Sequence, residues 1–147
     1  MVPMRFQLQF GLEGGTSRGI LVAQAGKGNA MSDALSALQQ RVAAFAAARD
    51  WEPFHSPKNL AMALSVEAAE LVEEFQWLTE EQSRALDAER RERVRLELAD
   101  VFIYLLRIAD KLDVDLVAAA NDKIVLNEKK YPADRVRGDA RKYTEYD

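Results

Sequence analysis

The chain has no cysteine, which excludes disulfides and thiolate metal sites. It has one histidine, His55, in 147 residues, so a multi-histidine zinc site within one chain is excluded too. It also lacks a basic excess: 20 Lys and Arg stand against 24 Asp and Glu, a formal charge of −4. The cations are interleaved with acids, so there is no electrostatic case for binding a nucleic acid polymer. No apolar run reaches the roughly 18 residues of a membrane span, and the expected compartment is the cytoplasm. A GxxxxGK[ST] phosphate loop, a GxGxxG fingerprint and a plausible Ser/His/Asp triad are absent as well. Any metal here is therefore expected to be hard and oxygen-bound, Mg²⁺ or Mn²⁺ before Zn²⁺.

With 48% apolar and 30% charged residues, the length suits one domain with a real core. Its first thirty residues differ from the rest. "GLEGGTSRGILVAQAGKGNA" is rich in small residues and lacks helical periodicity. "RFQLQF" alternates like a strand without an evident partner strand, and no apolar stretch follows to make a secretory signal. Residues 1–31 are read as a flexible extension with no catalytic part, or Met31 as the natural start.

From Ser32 the pattern is helical. Leu35, Leu38, Val42 and Phe45 form the stripe of a first helix, which runs out near Trp51–Pro53. Ser56-Pro57 starts a second, with Ser as cap and Pro at the first position, continuing to about Leu78. Thr79 to Gln82 fits a capping box. The charged "DAERRERVR" leads into a third long helix, "LELADVFIYLLRIADKL". Asp113 or Asp115 caps a fourth, which stops before Pro132. The tail, 133–147, reads as polar and irregular. The fold class is all-α, a four-helix bundle over residues 32–132.

Two carboxylate pairs interrupt apolar helical stretches: Glu67 and Glu70 in "LSVEAAELVEEFQW", Glu97 and Asp100 in "LELADVFIYLL". The i, i+3 spacing turns both members of each pair to one side. Glutamates on helices usually make a solvated face. Here, however, Glu67 shares a stripe with Leu60, Leu71 and Leu78, and Glu97 with Tyr104 and Ile108, which are faces a helix buries. Four acids brought together on two packed helices cannot all stay ionised without a partner. A divalent cation held by oxygen supplies one, and a phosphate chain is its natural cargo. The rival reading is a salt-bridge network. Arg93, one turn before Glu97, can pair with it; Arg107 and Lys111 start about 10 Å or more from Asp100 along the axis. One well-placed cation against four acids leaves excess negative charge, so the metal cluster is the better reading.

Two further groups point toward a nucleotide. On the fourth helix, Lys123, Asn127, Lys130 and Tyr131 point broadly one way. They form either a solvated face or a clamp for phosphate oxygens opposite the metal. Trp51, Phe54 and His55 cluster before the second helix and Trp77 lies at its end. Such aromatics often only pack, but loop positions favour binding, and a base stacked on an indole gains roughly 1–3 kcal/mol. His55 alone reads more readily as a packing or supporting residue than as a catalytic one. Among the acids, Glu70 is the candidate proton acceptor, with Glu73 or Glu74 as helpers.

At these residues the chain resembles the all-α nucleoside triphosphate pyrophosphatases of the MazG-like superfamily, and within it the members that act on dCTP. The resemblance covers about Leu35 to Tyr146, through "FAAARDWEPFHSPKNL", "VEAAELVEEFQW", "LELADVFIYL", "NEKKYP" and "RGDARKYTEY". It implies Mg²⁺-dependent cleavage of dCTP or a related pyrimidine nucleotide to the monophosphate and pyrophosphate. It implies that Glu67, Glu70, Glu97 and Asp100 are the metal ligands, and that Trp51, Phe54, His55, Trp77 and Tyr104 surround the nucleoside. Lys123 and Asn127 would approach the phosphates, with Lys130 and Tyr131 nearby. It also implies a homodimer or homotetramer with composite sites that completes the bundle. Where animal members carry a base-contacting histidine in the first helix, this chain has Val42. The alternatives are a pyrophosphatase of broader or modified nucleotides, and a non-catalytic oligomeric module that binds nucleotides.

Overall fold

A computed structural model describes residues 30–142. The expectations placed on residues 1–29, the extension and the strand-like "RFQLQF", lie outside the described residues, as does the end of the tail. The elements in order are α1 (Ala30–Ala47), a 3₁₀ turn (Glu52–Phe54), α2 (Pro57–Glu73), α3 (Glu80–Arg84), α4 (Ala88–Lys111), α5 (Leu116–Lys130) and α6 (Ala133–Val136). Every regular element among the described residues is helical.

The helix ends follow local chemistry. Ser56 Oγ accepts from the Asn59 N–H at 3.2 Å, with Pro57 at the first position. Thr79 and Gln82 close a reciprocal capping box. Of the two candidate caps for α5, Asp115 serves, accepting from the N–H groups of Val117 and Ala118. Asp113 instead occupies the left-handed region, φ 52°, while the Val114 N–H reaches back to Ala109 O at 2.9 Å. Asp50, φ 53°, ends α1 in the same way, with the Trp51 N–H bonded to Ala46 O at 3.1 Å. Both are Schellman closures with aspartate where glycine is commonest.

Three boundaries differ from the sequence reading. α2 stops at Glu73 and leaves residues 74–79 as turns rather than helix to Leu78. α4 starts at Ala88, capped by Asp87, so the charged lead-in belongs to the helix. The tail contains one helical turn, α6, where irregular chain was expected.

α2 and α4 make the principal packing contact, and α1 packs on α4. Their register is antiparallel. Glu74 meets Arg93 and Arg90, Glu67 lies by Glu97, and His55, just before α2, meets Arg107. Ala46, Leu60, Leu106 and Ala109 are buried where the three helices meet. The fourth long helix exists as expected, but in one chain α5 contacts the others only slightly. Ile124, Val125 and Leu126 on it are about half exposed. Met62, Val66 and Val72 of α2 and Leu98, Phe102 and Leu105 of α4 are also exposed. No helix among the described residues is long and apolar enough to cross a membrane.

Candidate metal centre

The antiparallel register brings the two acid pairs face to face. One carboxylate oxygen from each of Glu67, Glu70 and Glu97 lies within 4.8 Å of the other two. Asp100, one turn past Glu97, falls outside this closest grouping but is coupled to it. Its pKa is raised by burial and then by Glu70. Glu67 is pushed up to about 7, by burial first and then by Asp100, Glu70 and Glu97. Glu97 is raised by burial and then by Glu70 and Asp100, with Glu74 and Glu73 adding to the effect. No cation appears among the causes of any of these shifts.

The salt-bridge alternative does not form. Arg93 donates from Nε to Glu74 Oε1 and from Nη1 to Glu89 Oε1, each at 2.9 Å. Arg107 and Lys111 hold Glu52. Among the described residues, none of Glu67, Glu70, Glu97 and Asp100 makes an ion pair with a protein cation. Glu97 Oε2 is buried with no hydrogen-bond partner, a cost a protein normally avoids. Converging carboxylate oxygens with one of them orphaned fit a hard divalent cation. The donor set contains no nitrogen or sulfur ligand that would favour a softer metal.

The structure also brings Tyr104 to this centre. It follows Asp100 by one turn, and its pKa is pushed up to about 12 by burial, then by Glu67 and Asp100. Its hydroxyl therefore stays protonated and able to donate. Glu70 is the solvent-exposed member of the close group. Glu74, read as a helper, is instead committed to Arg93 and Arg90.

The aromatic candidates divide. Trp51 lies 5.7 Å from Phe45, edge to face, and 6.4 Å from His55. Arg49 stacks 3.4 Å above the Phe45 ring. Phe54 is exposed, and Trp77 is 86% exposed in the turns after α2. Lys123, Asn127 and Lys130 are exposed on α5 and Tyr131 follows as its C-terminal cap, and α5 makes little contact with the helices that carry the acids. The partnership of Glu52 with Arg107 was not foreseen. Its one signal was an arginine inside the apolar run "VFIYLLRIA".

The MazG-like family model matches residues 62–146, which include the four acids, Tyr104 and all of α5. The chain belongs to the MazG-like family. Among MazG-like relatives, it is 48% identical over 105 residues to dCTP pyrophosphatase 1 of Homo sapiens, which covers 70% of this chain. The Mus musculus protein of the same name is 46% identical over the same length. The chain spans 62% of the length of these curated relatives. A crystal structure of a pyrophosphatase from Archaeoglobus fulgidus superposes with a TM-score of 0.63 at 35% identity. That match covers 75% of this chain and 99% of the archaeal one. Trp51 to His55 precede the segment matched by the family model, whereas Trp77 and Tyr104 fall within it.

Proposed function

We propose that this chain hydrolyses dCTP or related pyrimidine deoxynucleoside triphosphates between the α and β phosphates, with Mg²⁺ as cofactor and Mn²⁺ as a substitute. The observation that carries this reading is the convergence of Glu67, Glu70 and Glu97 within 4.8 Å, with no protein cation to neutralise them. The dCTP pyrophosphatase relatives support the substrate class.

Glu67, Glu70, Glu97 and Asp100 would hold the metal. When bound, Mg²⁺ supplies Lewis-acid polarisation of the phosphoryl oxygens and offsets the charge of the four carboxylates. Water attacks the α-phosphorus, the bond to the bridging oxygen breaks, and pyrophosphate leaves; no covalent enzyme intermediate is needed. Glu70 takes the proton of the attacking water, and its exposure lets it pass that proton to solvent. The protonated Tyr104 hydroxyl donates a hydrogen bond beside the acids. Trp51 and His55 bind the nucleoside end, with Phe54 and Trp77 closing around it.

Lys123 and Asn127 reach the departing pyrophosphate, with Lys130 and Tyr131 nearby, when α5 packs in a homodimer or homotetramer. The exposed apolar residues of α2, α4 and α5 support such assembly. A soluble nucleotide substrate fits the cytoplasm.

Incubating the full chain with dCTP and Mg²⁺ should yield dCMP and pyrophosphate. Release of orthophosphate refutes the cleavage position, and a panel of triphosphates ranks the bases. A well-folded chain that turns over no triphosphate refutes the enzyme reading in favour of nucleotide binding alone.

A further inference from the structure

Arg107, 3% exposed, sits in the core of α4 and divides its donors among three partners. Nε donates to His55 Nδ1 at 3.2 Å, Nη1 to Asp110 Oδ2 and Nη2 to Glu52 Oε1. Lys111, one turn further, donates to the second carboxylate oxygen of Glu52. The 3₁₀ turn is thereby held to α4 through both oxygens of one side chain.

A guanidinium offers donors only. His55 Nδ1 must then be the unprotonated nitrogen, which leaves the ring proton on Nε2. Burial, then the charge of Arg107, lower the imidazole pKa; Lys111 adds to this and Glu52 opposes it. Trp51 belongs to the same unit through its ring contacts with His55 and Phe45. The Asn59 side chain closes the unit by donating to Phe54 O at 3.0 Å. Arg107 follows Asp100 by about two helical turns, so the clamp and the acids share one side of α4 roughly 10 Å apart.

We propose that Arg107 is a positioning residue for nucleotide binding. By clamping Glu52 and fixing the His55 tautomer from α4, it presents Trp51 and the His55 Nε2–H as a preset stacking and donor surface for the nucleoside end of the substrate. The inference rests on the nucleotide reading above. Arg107 itself touches no substrate. Its effect is to order the turn before binding, which removes an ordering cost from each binding event.

His55 is the sole histidine of the sequence, so long-range ¹H–¹⁵N spectra of the ¹⁵N-labelled full chain report on that ring alone. The wild type should show a neutral ring protonated at Nε2. Arg107→Gln should mix the tautomers and raise the imidazole pKa. It should also raise KM for dCTP about tenfold or more while kcat changes by less than about threefold. Arg107→Lys keeps the charge but loses the planar fork, so KM should stay raised; full rescue by lysine overturns the clamp. If Arg107→Gln does not fold, Glu52→Gln removes the clamp from its solvent side, where the Glu52 side chain is 43% exposed. It should raise KM severalfold. Unchanged His55 spectra in a folded Arg107 variant, or an unchanged KM in Glu52→Gln, overturn the proposal. A wild type without activity or nucleotide binding overturns the nucleotide reading and this inference together. An active wild type with indifferent variants overturns this inference alone.

Discussion

Arg93 donates to Glu74 over 2.9 Å, which commits the arginine one turn before Glu97 to a different carboxylate. α4 consequently carries three charge systems in series. At one end, Glu74 is neutralised by Arg90 and Arg93. At the other, Glu52 is neutralised by Arg107 and Lys111. Between them the acids of α2 and α4 repel one another, and that repulsion makes measurable predictions.

In the absence of divalent cations, the acid cluster's contribution to stability should fall as pH rises from about 4.5 through about 7, against an opposite contribution from His55, whose pKa is lowered. Glu67 has its pKa raised across that window, so the folded chain binds a proton that the unfolded chain has released. Glu97 and Asp100 are raised as well and act with the same sign. Mg²⁺ should oppose the loss, so its stabilising effect should be larger above neutrality than in mild acid. Thermal scans with a chelator and with Mg²⁺ measure both slopes. A metal-free melting temperature that depends on pH in the same way in the wild type and in Glu67→Gln contradicts the repulsion.

Glu67→Gln and Glu97→Gln should move activity and stability in opposite directions. Turnover of dCTP should drop by about 10²–10³-fold or more, the scale of a lost electrostatic contact to the transition state. The metal-free protein should become more stable, by about 0.5–2 kcal/mol, because one repelling charge is gone. Steady-state kinetics and denaturant melts on the same preparations test this. A glutamine variant that loses activity by unfolding would contradict it.

Leu106 is almost wholly enclosed, with Ala46, Leu60 and Ala109 the other buried apolar residues among those described. Leu106→Ala should cost about 2–5 kcal/mol, read from urea unfolding. Against a typical margin of about 5–15 kcal/mol, that is a large share.

The exposed Leu105 and Leu126 separate a monomer from an assembly. In a monomer, Leu105→Asp and Leu126→Asp should each fall within about 0.5 kcal/mol of the parent. In the assembly proposed above, each should shift the mass seen by light scattering toward the monomer and reduce turnover. Unchanged mass and turnover in both variants would refute these faces as contacts between copies.

Much of this was legible from local chemistry. Ser56-Pro57, the Thr79–Gln82 box and Asp115 act within one turn of their own position, so the chain announces them directly. The acid pairs were legible because a three-residue spacing sets a helix face without tertiary information. The start of α4 was hidden, since "DAERRERVR" has no apolar periodicity and only the Asp87 cap marks it. The bond from Arg107 to Glu52 spans 55 residues and depends on how α1, the turn and α4 meet. The slight packing of α5 was illegible for another reason: periodicity shows which face is apolar, not which chain covers it.

The antiparallel pairing of α2 with α4 also bears on insertions and deletions. Length changes in residues 74–87 lengthen or shorten the link while each helix keeps its own spacing. A single residue added between Asp100 and Arg107 would rotate everything beyond it by about 100°. It would carry Arg107 and Lys111 away from Glu52 and His55 while Glu97 and Asp100 kept their place opposite α2. That stretch of α4 acts as a ruler, and it should tolerate substitution far better than a change of count.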